Sequence, residues 1–185
     1  MPDGACIRCF APVADPATAR VLILGSMPGT ASLDANQYYA HPRNQFWSIM
    51  GTLVGAHPAL PYAERLAVLT RAGLALWDVL SSCERRGSLD SAIDLRSAQA
   101  NDFVTFLACH AGIRRVLFNG ALAETCFRRD VMPHIRPVEM LRLPSTSPAH
   151  AGLSADDKLQ AWRAALQPSP VAAVLASFEN MDMPT

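Results

Sequence analysis

Four short apolar runs alternate with stretches of helical periodicity, and this alternation limits the fold more than any other feature of the chain. The runs are residues 21–24, 74–80, 114–118 and 138–143. Brief apolar runs bounded by Gly and Pro read as strands buried on both faces. Between the first two, Phe46, Trp47, Ile49, Met50, Leu53 and Val54 recur at helical spacing until Gly55. Pro61 opens a second helix, with Leu66 and Leu69 on one face and Gly73 as its stop. Further helices are predicted over residues 98–111 and 121–129. Ser154 and Asp157 resemble a capping box that opens a last helix running to about residue 166. Strand and helix in alternation give an α/β fold, a parallel sheet covered by helices on both faces.

A chain of 185 residues is expected to form one domain, here residues 1–167. Residues 1–19 are Pro-rich and are expected to wrap irregularly onto the core. Residues 168–185 hold three prolines and little periodicity, and are expected to be a mobile tail. No apolar run approaches the length of a membrane span. The first residues lack the pattern of a signal peptide, so a cytoplasmic location is expected. The 5 cysteines are scattered. Cys6 and Cys9 form a lone CxxC, short of the about four ligands of a zinc site, so no metal is expected. Formal net charge is zero, which gives no whole-protein argument for nucleic-acid binding.

In a parallel sheet the strand ends lie along one edge, where α/β proteins bind ligands. The loops after the first, second and fourth strands are polar and can meet there. The first loop, residues 25–43, is long enough to imply a function. It opens with Gly25-Ser26-Met27-Pro28-Gly29, a rigid turn that lacks the ending of a phosphate-binding P-loop and the central serine of a nucleophile elbow. Of Tyr38 and Tyr39, one is expected in the core and the other, Tyr39, as a stacking face for a flat ligand. Asn44 is a good helix N-cap, and its amide can also hold a water against a reacting carbon. Asp78 interrupts an apolar strand, so it needs partners or a job. It can read a ring N–H or bond the backbone of the following polar loop, residues 81–90. Ser145, Thr146 and Ser147 suit phosphate contacts or an ordinary turn. His150 follows them, facing a ligand or solvent. His57, His110 and His134 carry no pattern.

The segment GSMPG…SLxxxQYYAHPRNxFW resembles the uracil-DNA glycosylase superfamily, and within it the hypoxanthine (deoxyinosine) DNA glycosylases, often called family 6. Residues 76–93, LWDVL…CERRGSLDSAI, and residues 142–149, RLPSTSPA, are also similar to that group. The resemblance spans roughly residues 20–166 and implies a three-layer α/β/α sandwich around a four-stranded parallel sheet. It implies hydrolysis of the N-glycosidic bond of a deaminated base in DNA, without metal or cofactor, after the base is flipped from the duplex. The expected partner is DNA carrying hypoxanthine, uracil or xanthine. The expected protein is a monomer of the cytoplasm, associated with the nucleoid.

By this resemblance Ser26, Met27, Pro28 and Gly29 form the pocket floor, Tyr39 stacks on the base and Asp78 reads it. Mismatch-specific uracil relatives carry a water-positioning Asn where Met27 stands. A thioether cannot do that; the resemblance to the hypoxanthine group implies that the water-positioning Asn is the one in the HPRN segment, Asn44. His41 and Arg43 of the same segment are expected to touch DNA. So are Ser145, Thr146, Ser147, Pro148, Ala149 and His150, the last loop, whose Pro148-Ala149 tip would enter the vacated stack. Three alternatives stay open. One is a mismatch-type enzyme with uracil as main substrate. Another is a damaged-DNA binder with little catalysis. The third is a small-molecule hydrolase using Ser26 with a histidine.

Overall fold

The computed structural model describes residues 5–167. In chain order its strands are β1 (Ala5–Arg8), β2 (Val21–Gly25), β3 (Leu74–Asp78), β4 (Leu80–Arg85), β5 (Ile93–Ala100), β6 (Arg115–Asn119) and β7 (Glu139–Leu143). Its α-helices are α1 (Thr30–Ala35), α2 (Phe46–Val54), α3 (Tyr62–Arg71), α4 (Phe103–Cys109), α5 (Ala121–Asp130) and α6 (Ala155–Leu166). The apolar runs pair with one another in the order β3-β2-β6-β7, and every pairing is parallel.

Alternation along these strands sorts the core into two halves. Leu22 and Leu24 of β2, Ala75 and Trp77 of β3, and Val116 and Phe118 of β6 point to one face. There they meet Phe103, Phe106 and Leu107 of α4 and Phe127 of α5. Ile23, Leu76 and Leu117 point to the other face, against Phe46, Trp47, Ile49 and Met50 of α2, Leu69 of α3 and Trp162 of α6. The expected α/β/α layering is thus present, with a four-stranded parallel sheet as its middle layer.

Four local expectations need correction. Residues 81–90 are not simply a loop. β4 occupies its first half and pairs antiparallel with β1 and β5, forming a second, three-stranded sheet. Accordingly, residues 5–8 are a strand rather than irregular wrapping. The helix expected from residue 98 begins at Phe103, because residues 98–100 belong to β5 and Asp102 is the cap, its Oδ1 accepting from the Thr105 N–H at 3.0 Å. Finally, the loop at 25–43 contains α1, which ends on Asn36 in the left-handed region. The capping box of α6 is formed by both of its bonds, Asp157 N–H to Ser154 Oγ at 3.1 Å and Ser154 N–H to Asp157 Oδ2 at 3.3 Å. The expected tail at 168–185 lies outside the described residues.

Candidate active site

The parallel strands all run toward one edge, and a cleft of about 710 Å³ opens there. It is lined by the turn after β2, the segment leading into α2, Asp78, residues 88–91, residues 119–122 and residues 145–150. The three polar loops expected to meet do so, and the end of β6 joins them.

The floor is set by the β2–β3 register, which places Gly25 opposite Asp78. A Cβ on Gly25 would overlap Asp78 Oδ1 and lie 3.2 Å from the Tyr39 hydroxyl. Glycine is therefore what lets the carboxyl sit at the strand end. Asp78 is 3% exposed, and its Oδ2 has no hydrogen-bond partner among the described residues. Burial pushes its carboxyl up to about 7; the charge of Asp90 adds to the rise and that of Arg85 opposes it. A buried, unpartnered carboxyl oxygen at a pocket floor costs stability unless a ligand meets it.

Tyr38 and Tyr39 both reach the cleft but are held differently. Tyr38 is buried, its ring edge-on to Phe10 and its hydroxyl donating to the Ala11 carbonyl at 3.2 Å. Tyr39 has φ +54°, unusual for an aromatic residue. That backbone turn lays its ring on Phe46, with centroids 4.0 Å apart and planes 27° apart, while its hydroxyl is buried beside Asp78 with no hydrogen-bond partner among the described residues. Burial and the Asp78 charge hold the Tyr39 phenol well above its ordinary range, so it stays protonated.

Asn44 lines the cleft just ahead of α2. Its Oδ1 accepts from the Phe46 N–H at 3.0 Å, so it caps the helix from one residue outside the cap position, which Gln45 occupies. A carbonyl oxygen has a second lone pair, so capping and holding a water are compatible. His41 Nδ1 accepts from the Arg43 N–H at 3.1 Å, tightening the same segment, and Arg43 is exposed at the cleft.

In the last loop, Ser145 and Ser147 hydroxyls accept from the N–H groups of Ser147 and Ala149, each at 3.2 Å, and Lys158 Nζ donates to the His150 carbonyl at 2.7 Å. Pro148 is half-buried, while Ala149 and His150 are exposed. Thr146 departs from its expected place among the DNA contacts. It is 0% exposed, and its N–H, carbonyl and Oγ1 are bonded to Asn119 Oδ1, Gln45 N–H and Asn119 Nδ2. It braces the loop from beneath.

Asn119 and Asp90 in the cleft lining, and Arg85 buried behind it, carry no assignment in the sequence. Asn119, at the end of β6, ties that strand to the last loop through its two bonds with Thr146. Ser26 donates to Asp90 Oδ1 at 2.6 Å, so its hydroxyl is engaged by a carboxylate rather than by a histidine. Arg85, buried on β4, donates Nη2 to the Pro28 carbonyl and Nε to the Gly87 carbonyl, fastening the floor turn to the second sheet. Strand ends and a polar GSLD stretch were the available signals, but nothing in their spacing tells which side chains turn inward.

The model of the Uracil DNA glycosylase superfamily matches residues 11–167. A hypoxanthine DNA glycosylase of Methanosarcina barkeri is 38% identical over 112 residues, covering 60% of this chain and 69% of the relative. A hypoxanthine DNA glycosylase of Methanosarcina acetivorans is 33% identical over 160 residues, covering 85% of this chain and 96% of the relative. Among solved structures, a solution NMR structure from Methanosarcina acetivorans, assigned provisionally as a uracil DNA glycosylase, superposes with a TM-score of 0.69 at 30% identity. It covers 88% of this chain and all of that one. With its fold, its cleft at the strand ends and a family match over most of its length, the chain belongs to the uracil DNA glycosylase superfamily.

Proposed function

We propose that this chain is a monofunctional DNA glycosylase that releases hypoxanthine from deoxyinosine in DNA and so begins base excision repair. One observation carries the reading. Asn44, with a spare carbonyl lone pair, and Asp78, with an unpartnered carboxyl oxygen, line one cleft beside Tyr39. The two relatives above carry hypoxanthine in their names, which supports the choice of base.

In this reading the flipped base lies against Tyr39, whose other side is backed by Phe46. Asp78 meets the ring edge. The C1′–N9 bond breaks, the bonding pair leaves with the base, and the backbone N–H groups of the Ser26–Gly29 turn stabilise the developing negative charge. Asn44 Oδ1 accepts a hydrogen bond from a water on the opposite face of the sugar. The water oxygen bonds to C1′, and its proton passes to solvent. Asparagine is too weak a base to take that proton, so positioning and electrostatics lower the barrier. Ser145, Ser147, Pro148, Ala149 and His150, with His41 and Arg43, would grip the strand. The Ser26–Asp90 bond speaks against a serine hydrolase, because no histidine holds that hydroxyl.

The test is a set of duplexes carrying inosine, uracil or xanthine, each incubated with the protein and then cleaved with alkali. Cleavage at inosine above the others is expected. Cleavage at uracil alone would move the chain to the mismatch-type reading. Binding to damaged duplex without cleavage would make it a non-catalytic binder.

A further inference from the structure

An exposed leucine is ordinary on a protein surface, but Leu89 stands in an unusual setting. It is 55% exposed and lines the cleft. Among the described residues the other exposed large apolar side chains, Leu95, Val104, Met132, Leu141 and Leu153, all lie outside it.

Its neighbours hold it there. On one side, Ser88 Oγ accepts from the Thr30 N–H at 3.0 Å and bonds Thr30 Oγ1 at 2.7 Å. On the other, Asp90 Oδ1 accepts from Ser26 Oγ at 2.6 Å. Leu89 itself is extended, and its carbonyl accepts from the Ala92 N–H at 3.0 Å, starting a short 3-10 turn. The residues flanking it are thus tied to the floor turn and to α1, while its own side chain is left in water. Such a segment presents the side chain without having to order it on binding.

The last loop also lines the cleft, and its tip is small: Ala149 offers one methyl group and Pro148 is half-buried. Removing a base from a duplex leaves a gap one base pair thick, and proteins that unstack DNA fill such gaps with apolar wedges. Burying a leucine there also removes apolar surface from water.

We propose that Leu89 is the wedge that enters the duplex beside the flipped nucleotide and holds the stack open. This rests on the DNA glycosylase reading. The last loop then grips the backbone, and insertion falls to the 88–91 segment. Leu89 acts on duplex opening and not on the bond that breaks.

The test compares wild type with Leu89→Ala and Leu89→Met. Single-turnover release of hypoxanthine is measured from an inosine–cytosine duplex and from the same strand unpaired. A 2-aminopurine next to the inosine reports unstacking by its fluorescence. Leu89→Ala is expected to slow release from duplex by about tenfold or more and to abolish the fluorescence rise. Its rate on the single strand should stay within about twofold of wild type, and Leu89→Met should recover most of the duplex rate. Equal duplex rates for Leu89→Ala and wild type would overturn the wedge and leave the glycosylase reading standing. An equal loss on both substrates would also overturn it, marking Leu89 as structural. Release by wild type from neither substrate would overturn the glycosylase reading and the wedge with it.

Discussion

Gly25 and Asp78 face each other across the β2–β3 pairing, and much of the pocket's chemistry starts there. Asp78 carries a folded-state carboxyl raised from 3.8 to about 7 by burial, with Asp90 adding to it. Between those two values the folded protein binds more protons than the unfolded chain, so its stability falls as pH rises through that window. The loss is on the order of a few kcal/mol. Asp78→Asn removes the group that titrates. Its melting temperature should therefore change less than that of wild type between about pH 4 and pH 7, and should exceed wild type at pH 8. A parallel pair of melting curves against pH checks this, and coincident curves would show that Asp78 is not the group responsible. The same variant should shift the ratio of hypoxanthine to uracil release. An unchanged ratio would reject base reading by Asp78. Gly25→Ala pushes a Cβ into Asp78 Oδ1, which is expected to cost about 1–3 kcal/mol in denaturant unfolding and to lower activity with it. Full retention of both would show that the floor has room to spare.

At the scale of elements, the loops are organised by ties between strand ends. Asn119 is the clearest, joining β6 to the last loop through both atoms of its amide. Asn119→Ala leaves the buried Thr146 N–H and Oγ1 without partners, which should destabilise the fold by about 1–3 kcal/mol. Activity should fall with it, because the loop loses its brace. Ser154→Ala breaks the capping box of α6 and should cost about 1 kcal/mol in stability, with hypoxanthine release kept at wild-type rate. Thermal melts and initial rates on both variants separate loop bracing from general stability. These ties were hard to read in the chain. The sheet's strands were legible because each is a short apolar run with few other possible fates. The second sheet was not, because β4 and β5 are largely polar and become strands only by pairing with each other and with β1. Likewise Asn44, Tyr39 and Asp78 stood out by type and position, whereas Asn119 and Asp90 did not. The Ser26–Asp90 bond spans 64 residues, and no local spacing announces it. Thr146 was misread for a related reason: a hydroxyl in a polar loop looks available until its partners are known.

For the whole molecule, the fold's logic is that one edge of a parallel sheet gathers loops from distant parts of the chain into one cleft. The chain has no net charge, so no overall positive charge draws it to DNA. Asn44 is proposed to position the water while it also caps α2. The decisive experiment is single-turnover release of hypoxanthine from a deoxyinosine duplex by wild type and by Asn44→Ala, with duplex affinity measured alongside. The expected result is a chemical rate reduced by about 100-fold or more, affinity within about threefold, and a stability loss near 1 kcal/mol from the missing cap. Equal single-turnover rates for the two proteins would show that Asn44 does not hold the water.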